Sequence, residues 1–380
     1  MKRVLVLGCG LVGGPIAVDL SKHENIHVTV MDKDTVALGR VHDRTHGAVE
    51  TIKTDFEYCA VLSKICKEFD LVICAVPGQL GTSVLKSVIP SGTSIVDISF
   101  SPESPFDLEE LALKHHVAVV VDCGVAPGLS NLLIGRALED FGSLESATIY
   151  VGGLPVDRVF PMEYRAPFSP ADVLEEYTRP VHKVVGGEHL STSPLANVEL
   201  RHFPGVGTLE AFETDGLRTL VKLPIPNMVE KTLRYPGHVK QLEFLKSLGF
   251  FGKDPVIDDS GSWIVPFELT AALLKKAWRV NPTDRDLTVM EVRVVAGDSS
   301  LKERVRTYRL LDYYDERTQT SSMARTTGYV ATAVASYLLA GLPDLVGIVP
   351  LEFIGGHQVA YLYIMNYLVS RGIVVTEVNE

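Results

Sequence analysis

The chain holds 380 residues, 46% of them apolar and 22% charged, an ordinary globular balance. A single core rarely grows past about 250–300 residues, so two domains are expected. A formal net charge of −11 argues against nucleic acid or an acidic membrane surface as the main partner, and no apolar run reaches the roughly 18 residues of a membrane span.

The first apolar run, Lys2 to Leu7, is the continuous type of a strand buried on both faces. It closes on Gly8-Cys9-Gly10-Leu11-Val12-Gly13, and Gly13 to Leu20 carries helical spacing at Ile16, Ala17 and Leu20. In a strand–turn–helix context the glycines have separate roles. Gly8 permits the turn, Gly10 lets a pyrophosphate approach bare backbone at the positive end of the helix, and Gly13 lets that helix pack closely. A second strand, Ile26 to Met31, ends at Asp32, nineteen residues after Gly13, where a carboxylate can accept hydrogen bonds from an adenosine ribose. The same carboxylate repels a 2′-phosphate, which favours NAD, while the neighbouring Lys33 and Arg40 keep NADP possible. The alternative is that Asp32 only caps the next helix.

Further strand-like runs follow at Ala48–Thr51, Leu71–Val76, Ser94–Ile98 and Val117–Val121, with helix-length segments between most of them. This alternation predicts an α/β fold with a parallel sheet and a ligand beyond the carboxyl ends of its strands. Those ends carry Gly8, Asp32, Asp55, Val76-Pro77, Ser99 and Asp122. Val76-Pro77-Gly78 either makes room beside a nicotinamide ribose, through a kink and a small residue, or forms a structural turn. The expected cofactor-binding set is therefore Gly8, Gly10, Leu11, Val12, Gly13, Asp32, Lys33, Asp55, Ala75, Val76, Pro77 and Ser99.

After Asp122-Cys123-Gly124-Val125-Ala126-Pro127-Gly128 the pattern changes. Ser146–Gly153 reads as a strand entering a new sheet, and Leu287–Val295 with Arg304–Leu311 as a hairpin across Gly297-Asp298-Ser299. Helix-like segments lie around Ala171–Tyr177 and Lys240–Leu248, and Met323–Leu339 is a long small-residue helix. The expected division is a Rossmann domain over 1–123 and 323–380, and an α+β substrate and dimerisation domain with a mostly antiparallel sheet over 124–322. The cysteines Cys9, Cys59, Cys66, Cys74 and Cys123 are odd in number and lack CxxC pairs, so no disulfide framework or zinc ribbon is expected. His42 and His46 have i, i+4 spacing without an HExxH glutamate or a third ligand, so no metal is expected. The N-terminal apolar run is too short for a signal peptide, and a cytoplasmic homodimer is expected.

Several segments carry a resemblance: Val6–Gly13, Asp122–Gly128, Tyr150–Val156, Leu209–Phe212, Thr232–His238 and Met323–Arg325. In this order, over nearly the full length, the chain resembles the saccharopine dehydrogenase-like (saccharopine reductase) superfamily, and most closely its lysine 6-dehydrogenase branch. The resemblance implies a Rossmann domain completed by the C-terminal segment, with a substrate domain inserted. It implies NAD-dependent oxidation of the ε-amine of lysine to an imine, then loss of ammonia and closure to a cyclic piperideine carboxylate. Saccharopine reductases carry an acidic residue where this chain has Ala126. Saccharopine or carboxynorspermidine formation therefore ranks second, and a non-catalytic nucleotide sensor third.

Hydride abstraction beside an amine requires that amine to be neutral, so the site needs a proton acceptor or a desolvated pocket, and a cation for the amino-acid carboxylate. Arg234 can grip a carboxylate with two hydrogen bonds, and the matching arginine of saccharopine reductases is similarly placed; the alternative is a surface ion pair. Tyr235 is grouped with it as substrate-binding. His238 is either a proton acceptor or a structural histidine. Asp122 either takes the amine proton or caps the following turn, and Thr214 and Asp215 are candidate contacts to the α-amino group.

Overall fold

The computed structural model describes residues 1–56, 62–166, 170–281, 283–298, 300, 304–341 and 345–379; Cys59 and Ser299 lie outside the described residues. Its first six strands are β1 (Lys2–Leu7), β2 (Ile26–Asp32), β3 (Glu50–Lys53), β4 (Leu71–Cys74), β5 (Ser94–Asp97) and β6 (Ala118–Val120). Then come β7 (Leu144–Pro155), β8 (Val181–Val185), β9 (Glu188–Thr192), β10 (Glu199–Phe203), β11 (Gly207–Glu213) and β12 (Asn227–Arg234). The short pair β13 (Val256–Ile257) and β14 (Trp263–Ile264) stands apart, followed by β15 (Asp286–Ala296), β16 (Val305–Tyr313), β17 (Gly347–Val349) and β18 (Val375–Asn379).

One sheet runs β17-β6-β5-β4-β1-β2-β3, all neighbours parallel. β1 shows why its sequence does not alternate. Val4 and Val6 enter the core that holds Ile16, Leu20 and Val330, while Leu5 and Leu7 enter the opposite core with Val84, Leu85 and Val88. The second sheet runs β10-β11-β12-β7-β15-β16-β18, with β8 on β12 and β9 on β8. It is antiparallel except for the pairing of β7 with β12.

The helix Ser322–Leu339 returns to the first sheet: a Cβ on Gly328 would lie 3.0 Å from Ile16 Cγ1, and Thr332 donates to Asp19 at 3.1 Å. β17 extends that sheet, but β18 does not follow it. Although 323–380 was assigned to the first domain, β18 covers the open edge of β16 from Leu310↔Val375 to Arg306↔Asn379. Strands β8 to β11 were not read from the sequence. They are short, and β9 and β10 are mostly exposed, so their hydrophobic alternation is weak.

Helix Leu129–Phe141 meets helix Leu351–Gly356 backbone to backbone. A Cβ on Gly135 would lie 1.9 Å from the Glu352 carbonyl oxygen, and one on Gly355 2.1 Å from that of Leu132. Neither helix can yield a flexible side chain there. Gly135→Ala is expected to lower stability by about 1–3 kcal/mol, as overpacking does, seen as a lower urea midpoint at unchanged m-value. An unchanged midpoint would show that the helices separate without cost.

Candidate active site

A cleft of about 650 Å³ runs from the carboxyl ends of the first sheet to the inner face of the second. At one end it is lined by Gly8, Gly10, Leu11, Val12, Gly13, Asp32, Lys33, Asp55, Ala75, Val76, Pro77 and Ser99. The turn is built around bare backbone. Gly8 has φ +99°, and a Cβ there would lie 2.3 Å from the Ala75 carbonyl oxygen; one on Gly13 would lie 2.1 Å from that of Gly8. A Cβ on Gly10 would meet nothing within 4 Å, so this position opens onto the cleft. The helix that follows has no side-chain cap and no acidic residue in its first turn. Gly14 already donates to the Gly10 carbonyl at 3.2 Å, whereas the amides of Leu11, Val12 and Gly13 have no acceptor among the described residues and are left for an anion, which fits a dinucleotide pyrophosphate.

Asp32 is not the helix cap; Asp34 is, accepting from Val36 and Ala37. The Asp32 carboxylate accepts from the Cys9 amide at 2.5 Å and the Asp34 amide at 2.8 Å, which pins it beside the glycine turn. Lys33 lies 3.6 Å from Asp55. Burial, reinforced by Asp32, pushes the Cys9 thiol up to about 12, so it stays protonated.

At the other end the cleft is lined by Asp122, Thr214, Asp215 and Arg234 from the expected set. Asp122 is not a free base. Both its carboxylate oxygens face Arg218 Nε, at 3.1 and 3.3 Å, and Arg218 Nη1 donates to the Ser101 carbonyl at 2.8 Å. Burial raises its pKa while Arg218 opposes the rise. Asp215 accepts from the His182 amide at 3.2 Å and lies 2.8 Å from His182 Nδ1. Arg234 is only 3% exposed; it donates to Tyr177 Oη (3.1 Å), the Leu233 carbonyl (2.9 Å) and Glu176 (3.2 Å), and its guanidinium lies over the Tyr164 ring. Much of its donor capacity is already used within the protein.

His238 and Tyr235 do not line the cleft, so the catalytic reading of His238 and the substrate-binding reading of Tyr235 are corrected. Tyr235 donates to the Pro155 carbonyl at 2.8 Å. Tyr177 accepts from Arg234, so its hydroxyl donates to His238 Nε2 at 3.1 Å, and His238 Nδ1 donates to the Met162 carbonyl at 3.1 Å. This chain requires a neutral imidazole with no acceptor to spare. Burial, with Arg234 adding to it, lowers its pKa from 6.5 to about 3.

Sequence reasoning missed three charged residues in the same cleft: Glu176, Arg179 and Glu230. Arg179 pairs with Glu175 and lies over the Phe100 ring, and its Nη1 is buried with no hydrogen-bond partner among the described residues. The Glu230 carboxylate accepts from the Thr214 hydroxyl at 2.6 Å. A period-2 reading back from Arg234 along its strand reaches Thr232 and Glu230, both buried on the same face.

The parallel sheet with its glycine turn, and the second sheet closing the cleft, define a two-lobed α/β dinucleotide-binding protein. The chain belongs to the saccharopine dehydrogenase family: residues 4–125 match the saccharopine dehydrogenase NADP binding domain and residues 124–373 the saccharopine dehydrogenase C-terminal domain. It is 28% identical over 271 residues to the mitochondrial alpha-aminoadipic semialdehyde synthase of Bos taurus, covering 67% of this chain and 29% of that protein. It is 27% identical over 266 residues to saccharopine dehydrogenase [NADP(+), L-glutamate-forming] of Saccharomyces cerevisiae, covering 67% of this chain and 59% of that protein. The match thus spans less than a third of the first relative and about three fifths of the second. The apo saccharopine dehydrogenase (L-Glu forming) structure from Saccharomyces cerevisiae superposes over 100% of both chains, with a TM-score of 0.80 at 21% identity, and shares the fold. Among the described residues no helix is long and apolar enough to cross a membrane.

The neutral His238 has a consequence for acid stability. Between pH 6.5 and about 3 the unfolded chain binds a proton there that the folded chain refuses, so stability falls as pH drops through that window. His238→Gln is expected to flatten the pH dependence of the thermal midpoint between pH 6.5 and 4. An unaltered slope would show that the ring charges in the native state.

Proposed function

We propose that this chain is an NAD(P)-dependent oxidoreductase that oxidises a carbon–nitrogen bond of an amino acid held between the two sheets. Residues 1–123 and the C-terminal segment from 323 up to β18 serve the dinucleotide, and 124–322, with β18 on its sheet, the substrate. The observation that carries this reading is the continuity of the cleft, which joins the glycine turn to Arg179, Glu230 and Arg234. When bound, the dinucleotide accepts hydride. Gly8, Gly10 and Gly13 hold its pyrophosphate, and the pinned Asp32 carboxylate takes the ribose hydroxyls, which favours NAD although the family match is to an NADP binding domain.

The substrate we favour is lysine, oxidised at its ε-amine. Asp122, Glu176, Asp215 and Glu230 line the cleft against Arg179 and Arg234, with Arg218 bound to Asp122. Asp215 and Glu230 form no ion pair with an arginine among the described residues, which leaves two carboxyl groups for the amines of a molecule with more amines than carboxylates. Ala126, where saccharopine reductases carry an acid, points the same way. The unpartnered Arg179 Nη1 takes the substrate carboxylate together with whatever donor Arg234 retains, since a buried guanidinium donor without a partner is costly until one arrives. The second reading is cleavage or formation of saccharopine, favoured by the names of the relatives.

The deciding measurement offers lysine alone, ornithine alone, and saccharopine to the enzyme with NAD and NADP separately. NADH formation from lysine alone is expected. Turnover of saccharopine without turnover of lysine selects the second reading, and no turnover of any amino acid overturns both. A charge-assisted hydrogen bond contributes about 1.5–3 kcal/mol. Arg179→Met is therefore expected to raise KM for the amino acid about ten- to hundredfold while leaving the Kd for the dinucleotide unchanged by fluorescence titration.

A further inference from the structure

Glu230 occupies an unusual position for a carboxylate. It sits on the inward face of β12 with Met228, Thr232 and Arg234, is 4% exposed, and lines the cleft. Among the described residues it forms no ion pair, because the nearby Arg234 is bound to Glu176. Its Oε2 accepts from the Thr214 hydroxyl at 2.6 Å, and that hydroxyl lies 2.8 Å from the hydroxyl of Thr232. Its Oε1 has no hydrogen-bond partner among the described residues. Gly216 leaves room for the carboxyl group, since a Cβ there would lie 2.5 Å from Glu230 Cδ and Oε2.

We propose that Glu230 is the proton acceptor for the substrate amine, with Thr214 and Thr232 positioning its carboxylate. The inference rests on the amine-oxidation reading above. The substrate ammonium gives one proton to the Glu230 carboxylate. The nitrogen lone pair of the resulting neutral amine then forms the C=N bond as the adjacent carbon loses hydride to the oxidised nicotinamide, which is reduced. Other acceptors in or behind the cleft are engaged: Asp122 holds Arg218, and His238 sits outside the lining in a closed hydrogen-bond chain. The surroundings suit the task. Burial, opposed by the Thr214 hydrogen bond, aided by Glu176 and Asp215 and opposed again by Arg234, pushes Glu230 up to about 8. A base poised near the working pH both accepts and releases a proton readily.

The test compares the full-length wild type with Glu230→Gln and Thr214→Val, using the amino acid that the substrate screen identifies and saturating dinucleotide. In the wild type, kcat/KM is expected to rise through an acidic limb near pH 8. Glu230→Gln is expected to lose the limb and about 10²–10⁴-fold in kcat. Thr214→Val removes the bond that favours the carboxylate, so its limb moves to higher pH. Folding of the glutamine variant is read from its thermal midpoint. Between pH 4.5 and about 8 the native wild type keeps a proton that the unfolded chain releases, so its stability falls as pH rises, and Glu230→Gln lacks that fall. Wild-type kcat and an unmoved limb in Glu230→Gln overturn the inference alone. A wild type that turns over no amino acid overturns the function reading and this inference with it.

Discussion

The buried ion pair between Asp122 and Arg218 ties the two lobes together beside the cleft. Asp122 follows β6 at the carboxyl edge of the first sheet, and Arg218 opens the helical turn Arg218–Lys222 below the second. Both residues have left-handed backbone, φ +51°, a conformation that costs free energy outside glycine and persists only where its surroundings hold it. The guanidinium also lies 5.1 Å from the Phe100 ring centroid and bonds the Ser101 carbonyl, so the segment after β5 is fixed by the same group. Such a pair adds little net stability relative to an apolar contact, but losing one partner strands a buried charge. Its contribution is geometric: it joins the segment after β6 to the helical turn between β11 and β12.

The first lobe was legible because its constraints are local. A backbone with φ +99° leaves few alternatives to glycine at Gly8, and the glycine turn with the strand before it spans only about a dozen residues, although the Ala75 carbonyl that also excludes a side chain there comes from far along the chain. The second lobe was legible in part. Arg234 stood out by side-chain type and neighbouring motif, and it does line the cleft. His238 stood out for the same reasons, yet its ring packs among Tyr164 and Tyr177 and answers to the Met162 carbonyl, seventy-six positions away. Nothing near His238 in the chain announces those partners. Glu230 was missed because its strand was read only at its end; two steps of alternation back from Arg234 would have reached it.

The chain of bonds from Arg234 through Tyr177 to His238 and Met162 gives these residues a common purpose. Each donor in that chain has one acceptor, so Tyr177, His238 and Met162 fix the guanidinium from behind the cleft while Glu176 and Tyr164 hold it from within the lining. Burial works against the charge of Arg234, and the tyrosines with Glu176 more than offset it, so the cation is permanent. Arg234 and Arg179 stand in the same lining as Asp122, Glu176, Asp215 and Glu230, so this part of the cleft presents fixed groups of both charge signs to whatever enters it.

That arrangement also explains why a carboxyl as costly as Glu230 sits in the core of a sheet. An uncharged side chain at the same place would pack beside Met228 without a desolvation penalty, so stability alone does not account for it. The penalty acts on one protonation state only. It weighs against the carboxylate, rises with the nearby Glu176 and Asp215, and is eased by the hydroxyl of Thr214. On the proposed function, a cationic amine in the cleft favours the carboxylate, so Glu230 first gives up its own proton and can then take one from the substrate. On that reading the free protein holds in one buried group a preference for a positively charged nitrogen.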